Sequence, residues 1–197
     1  MLNLRHVESC SYVDMNKPRK SQDCLNQTGY VGEMEAIRIL GIDPGLRATG
    51  WGVIEMAGPK LSHIAHGVLR ADPDLSLAKR LAYIFSGVSG LVIEHQPDLA
   101  GIEETLVNNN PRAALKLGQA RGAAMAALAR EGVEVSEFAP RKIKLAVVGT
   151  GGADKTQVKF MVQTLLPRAG NMASDAADAL ACAICAGHHR PVSGRAA

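Results

Sequence analysis

The feature that most constrains this chain is an apolar run that ends in a lone carboxylate and turns at once. Ile39-Leu40-Gly41-Ile42-Asp43 runs into Pro44-Gly45, and a second apolar run, Trp51-Gly52-Val53-Ile54, follows Thr49-Gly50. Apolar residues bounded by Pro-Gly read as strand, tight turn, strand. Asp43 is then left at the end of a buried strand, where an unpaired charge is costly. Such a carboxylate needs a partner, and a metal ion is a good one.

The pattern continues along the chain. Three β segments are expected at 37–43, 51–57 and 61–69, with Gly58-Pro59 breaking the last two. Connections this short favour antiparallel pairing. Leu77, Leu81, Ile84, Val88 and Leu91 repeat at helical spacing and predict a helix near 75–95, stopped by Gln96-Pro97-Asp98. Leu99-Ala100-Gly101-Ile102-Glu103 is a short apolar run that again ends in a carboxylate. Asn110 as N-cap and Pro111 at the first helical position open a helix to about Arg130. Gly118 and Gly122 share one face of that helix, and a close backbone contact would offset their cost. A strand at 133–138 follows, then helices at 140–148, 154–166 and 174–187, the last with Ser174 as N-cap. The order βββαβαβαα indicates an α/β fold with a mixed, five-stranded sheet flanked by helices, its first three strands antiparallel.

A chain of 197 residues can build one domain with a substantial core. Aromatics make up only 4%, so large stacking platforms are not expected. No apolar stretch approaches the roughly 20 residues that span a bilayer. The N-terminus lacks the apolar core of a secretory signal, so a cytoplasmic location and no membrane association are expected. Residues 1–36 are polar and aperiodic, and they read as a disordered or loosely packed extension with Met34 as the expected natural start. That segment holds four cations against five anions, so of the net charge of +3 the remainder carries +4. Arg141, Lys142, Lys144, Lys155 and Lys159 face only Asp154 across 141–160, a cluster suited to phosphates. Cys182 and Cys185 form a C-x-x-C before His188 and His189, which invites a zinc or redox reading. The pair lies in a strongly apolar helical run with no second C-x-x-C, so a buried, structural role is the better reading.

Asp175 and Asp178 are three residues apart, hence on one helix face, in a first turn where the helix dipole favours anions. Each carboxylate alone has an ordinary explanation as a cap or a turn residue. If strands 37–43 and 99–103 are parallel neighbours, Asp43 and Glu103 converge at one sheet edge, where ligand sites of α/β folds collect. A C-terminal helix packed on that sheet adds Asp175 and Asp178. Four carboxylates so close repel and need divalent cations, and the donor set suits Mg²⁺ or Mn²⁺. Two such ions clamp the attacking and leaving oxygens of an in-line phosphoryl displacement. With basic residues nearby, the expectation is a metal-dependent phosphodiesterase acting on nucleic acid.

Ile42-Asp43-Pro44-Gly45, Ile102-Glu103-Glu104, Ala114-Leu115-Lys116-Leu117-Gly118-Gln119-Ala120-Arg121-Gly122 and Ala173-Ser174-Asp175-Ala176-Ala177-Asp178-Ala179-Leu180-Ala181 resemble the RuvC family of Holliday-junction resolvases. The resemblance runs from about residue 37 to 189, and its Leu-Lys-Leu-Gly-Gln-Ala-Arg-Gly string is highly specific. It implies an RNase H-like nuclease domain at 37–189, between the extension and a tail at 190–197. It implies a homodimer that nicks a four-way DNA junction symmetrically, dependence on Mg²⁺ (two ions per subunit, with Mn²⁺ a substitute), and coupling to the RuvA–RuvB branch-migration complex. The family's catalytic and metal-binding carboxylates correspond to Asp43, Glu103, Asp175 and Asp178. Its active-site lysines correspond to Lys144 and Lys155, which would hold the scissile phosphate and offset developing charge.

Two departures from the family pattern bear on DNA contact. Leu106 stands where related sequences usually carry a phenylalanine that stacks on bases, and Asn109 stands where a lysine is common. Leucine can wedge against bases but offers no aromatic face. Arg112, Lys116 and Arg121 on helix 111–130 are further candidates for phosphate contact. Glu104 is the rival to Glu103; adjacent strand residues point to opposite faces, so only one joins the cluster. Gly41-Ile42-Asp43-Pro44-Gly45 … Thr49-Gly50 is also similar to the first phosphate loop of actin-like ATPases and sugar kinases. The chain after Asp43 is too short for their second domain.

Overall fold

The computed structural model describes residues 35–104 and 110–190. Met34, Leu106, Asn109, most of the expected N-terminal extension and nearly all of the tail lie outside the described residues. Strand β1 (Ile37–Asp43) pairs antiparallel with β2 (Ala48–Ala57), which pairs antiparallel with β3 (Lys60–Arg70). Both later strands start earlier than expected, because their pairing runs from Ala57↔Lys60 through to Ala48↔Arg70, close to the turn after Asp43. Helix α1 (Leu77–His95) leads to β4 (Leu99–Glu103), and α2 (Pro111–Arg130) leads to β5 (Glu134–Phe138). The chain closes with α3 (Pro140–Val148), α4 (Lys155–Leu165), a 3-10 turn (Pro167–Ala169) that was not anticipated, and α5 (Ser174–His189).

The sheet has five strands in the order β3-β2-β1-β4-β5, with β1, β4 and β5 mutually parallel. Alternation along β1 sends its residues to two cores. Leu40 and Ile42 pack with Ile84 and Val88 of α1 and Ala124 and Leu128 of α2. Ile39 packs on the other face with α3, α4 and α5, among Val147, Val162, Leu180 and Ile184. The result is three layers with the sheet in the middle.

Helix ends follow local chemistry. Ser76 accepts from the Lys79 N–H at the start of α1, and Gln96 ends that helix in the left-handed region at φ 47. Asp154 and Gln157 form a capping box at α4. Ser174 is not the cap of α5: it is the first helical residue, and Ala173 precedes it with no side-chain hydrogen bond. The dipole end of α5 is thus left to other partners. A side chain built at Gly118 or Gly122 would meet nothing within 4 Å, so the close backbone contact expected there does not occur within the described chain.

Candidate active site

The register of β1 on β4 brings the first two carboxylates together. Ile42 is opposite Ile102, and one residue further along each parallel strand come Asp43 and Glu103. Ile42 and Ile102 share the core under α1 and α2, so their successors Asp43 and Glu103 turn to the face that carries α5. This decides between the neighbouring glutamates: Glu103 joins Asp43, whereas Glu104 turns away and its N–H donates to the Phe138 carbonyl at 2.9 Å. The turn after Asp43 is pinned twice. Thr49, fully buried, donates its hydroxyl to the Gly45 carbonyl at 2.8 Å, and Arg80 Nη2 donates to the Leu46 carbonyl at 2.9 Å. Arg80 lies 34 residues from Leu46, a link with no signal in the sequence.

Helix α5 delivers the other two carboxylates because the sheet beneath it lacks side chains at two points. A Cβ on Gly41 would lie 2.0 Å from the Ala179 carbonyl oxygen, and one on Gly50 would lie 2.0 Å from that of Asp175. The helix therefore rests backbone-on-backbone over β1 and β2. Small residues of the helix, Ala176, Ala179 and Ala183, fit that gap, and all three are buried. Asp175 is held over Gly50 and Asp178 enters the cleft one turn later.

Asp43, Glu103, Lys144, Lys155 and Asp178 line one cleft of ≈ 230 Å³, walled by Pro140, Ile143, Val158 and Ala181. Burial pushes Asp43 up to about 7, and the charges of Glu103, Asp178 and Asp175 push in the same direction. Glu103 is raised as well, by burial and then by Asp178, with Lys155 and Lys144 opposing. Lys155 Nζ donates to Asp178 Oδ2 at 3.2 Å, and that carboxylate holds the ammonium above its ordinary pKa. The cleft thus gathers more negative than positive charge at a position partly closed to water.

The family model for crossover junction endodeoxyribonuclease RuvC matches residues 39–186. This chain belongs to the RuvC family. The family member from Hyphomonas neptunium is 72% identical over 156 residues, covering 79% of this chain and 93% of its own length. That from Rhodospirillum rubrum is 55% identical over 154 residues, covering 78% and 91%. The solved structure of T. thermophilus RuvC in complex with Holliday junction substrate matches with a TM-score of 0.72 at 30% identity, over 77% of this chain and 93% of that one. The yeast mitochondrial resolvase Ydc2, at 12% identity and a TM-score of 0.54, shares the fold. The architecture is the RNase H-like one expected.

Within this RuvC-family fold, the donor set fits divalent cations. Carboxylate oxygens are hard ligands, and Asp43 is surrounded by three like charges, with Lys155 opposing them. As they stand, no three His, Cys, Asp or Glu side chains among the described residues form a ready-made ligand cage. The Lys155–Asp178 ion pair holds one of the carboxylates instead.

The other candidates fall elsewhere. Arg112 and Lys116 are exposed on α2, away from the carboxylate cleft. Arg121 is ion-paired with Glu137 of β5. Cys182 and Cys185 do not form a metal site with the histidines. Cys182 is fully buried and its thiol is pushed well up by burial; Cys185 is pushed up to about 11. His189 Nδ1 lies 2.9 Å from the Cys185 carbonyl oxygen, capping the helix end instead.

Proposed function

We propose that this chain is a structure-selective endodeoxyribonuclease that resolves four-way DNA junctions by metal-dependent phosphodiester hydrolysis. The observation that carries the reading is the crowding of Glu103, Asp175 and Asp178 around Asp43 at one sheet edge, with Lys155 alongside. Membership of the RuvC family supplies the substrate class.

Asp43, Glu103, Asp175 and Asp178 would hold two Mg²⁺ ions, with Mn²⁺ as substitute. Such ions stabilise the attacking and leaving oxygens of an in-line displacement. The protein's own residues do the rest. Lys155 pairs with Asp178, and from that position its ammonium would also reach a scissile phosphate bound in the cleft. Lys144 lines the same cleft, its charge acts on Glu103, and it would add a second positive charge where negative charge develops. Pro140, Ile143 and Val158 wall the cleft with apolar surface, which strengthens each of these interactions. A homodimer, matching the two-fold symmetry of a four-way junction, would cut both strands. Coupling to RuvA–RuvB and a cytoplasmic location belong to the same reading. No helix among the described residues is long and apolar enough to cross a membrane.

The test is a strand-cleavage assay on a synthetic four-way junction and on a linear duplex of the same sequence. Paired cuts in the junction with Mg²⁺, abolished by EDTA, and little cutting of the duplex are expected. Equal cutting of both substrates, or junction cutting in EDTA, would refute the proposal.

A further inference from the structure

A second concavity, ≈ 490 Å³ and open to solvent, lies at the same edge of the sheet. It is formed by the Gly45–Ala48 turn, Arg80 of α1, and Ala113, Lys116 and Leu117 of α2. The two helices cover the face that carries Leu40 and Ile42, so this groove and the carboxylate cleft flank the turn after Asp43 from opposite sides. The groove's exposed surface is mostly apolar; three cations and no carboxylate are among the residues around it. Arg47 and Lys116 are exposed, and neither forms an ion pair among the described residues. Arg80 spends one nitrogen on the Leu46 carbonyl, while its Nε is buried with no partner among the described residues.

An acid-free groove with three guanidinium or ammonium groups is suited to an anion with several acceptor oxygens, and a backbone phosphate has that chemistry. Asp43 and Arg47 are four residues apart, at most about 14 Å of chain. A DNA strand carries a phosphate for each roughly 3.4 Å of helix axis. We propose that this groove is a second phosphate subsite, in which Arg47, Arg80 and Lys116 hold the cut strand on the far side of the Asp43 turn from the scissile bond. The inference rests on the nuclease reading and names three contacts outside the cleft. Lys116 already stood out in the sequence; Arg47 and Arg80 did not.

The test uses the full chain and a fluorescently labelled four-way junction in EDTA, with anisotropy measured from about 50 to 200 mM salt. Arg47→Gln and Lys116→Gln alter exposed side chains and leave the Arg80 brace in place. Each is expected to raise Kd roughly tenfold at low salt and to reduce the salt slope by about 1 per engaged protomer. Lys60→Gln removes an exposed charge where β2 turns into β3, at the opposite edge of the sheet, and is expected to change neither. Unchanged Kd and slope in both groove variants, with wild-type binding intact, overturn the groove and leave the nuclease reading standing. A Lys60→Gln variant that matches them also overturns it, since bulk charge then explains the effect. A wild-type protein that does not bind the junction overturns both readings.

Discussion

Replacing Asp43 by asparagine should make the metal-free protein more stable and catalytically dead. In the folded chain the Asp43 carboxyl is raised from an ordinary 3.8 to about 7, first by burial and then by Glu103, Asp178 and Asp175. A gap of that size corresponds to about 4 kcal/mol, at roughly 1.36 kcal/mol per pKa unit. The folded pKa lies above the unfolded one, so the folded state holds its proton longer. Wild-type stability is therefore intact below about pH 4, falls as pH rises towards 7, and has lost the full amount above that. Asparagine has nearly the same shape and never ionises. Allowing for water that reaches the cleft, D43N should gain about 2–4 kcal/mol over wild type in EDTA at pH 8, and roughly two fifths of that at pH 5. Urea unfolding at the two pH values measures both. Saturating Mg²⁺ should close the gap by stabilising wild type, and junction cleavage by D43N should fall by about three orders of magnitude or more. A variant no more stable than wild type at pH 8 in EDTA, or a gain that ignores pH, would refute the charge crowding on which the active-site reasoning depends.

Two further perturbations probe the scaffold and the lysine. Gly41→Ala would drive a methyl to 2.0 Å from the Ala179 carbonyl oxygen and 2.6 Å from the Ala183 nitrogen, both backbone atoms that cannot rotate away. A loss of about 3 kcal/mol, or a fall in Tm of roughly 6–12 °C, is expected by calorimetry; an unchanged Tm would show that α5 does not rest on β1. Lys155→Met keeps the aliphatic stem and removes the charge that pairs with Asp178. Single-turnover cleavage with Mg²⁺ should slow by about 100-fold, with junction Kd changed by less than about threefold; a large loss of binding with unchanged cleavage at saturating protein would assign the lysine to affinity instead.

Much of this site was legible because its residues sit at places where secondary structure changes. Asp43 and Glu103 each end an apolar strand, and three-residue spacing already put Asp175 and Asp178 on one helix face. Their convergence was not legible in the same sense. It depends on β1 lying beside β4, in register at Ile42 and Ile102, and on how near α5 comes to the sheet. Glycine positions can be read from a sequence, but not what they face: Gly41 and Gly50 meet the backbone of α5, whereas Gly118 and Gly122 meet open space. Ser174 looked like the cap of α5 because capping is a matter of one φ, ψ pair, and the helix begins one residue earlier than side-chain chemistry suggests. Arg121 looked free for DNA because Glu137, its partner, lies on a different element.

The close seat of α5 and the proposed affinity of the site for cations would be one property rather than two. Helix α5 is buried from Ala179 to Ala186, and all of those residues but Leu180 and Ile184 are small. Larger side chains facing Gly41 and Gly50 would lift the helix from the sheet. Water would then reach Asp43 and the carboxylates would separate, and both changes relax the forces that raise its pKa. A relaxed cluster would cost the folded protein less and would also gain less from a divalent ion, since an ion stabilises the folded state by the repulsion it removes as well as by the bonds it forms. The run of alanine, cysteine and glycine on α5 is therefore more than a way to fill space. It keeps Glu103, Asp175 and Asp178 near Asp43 in a poorly hydrated place, and that strain is what a bound cation would relieve.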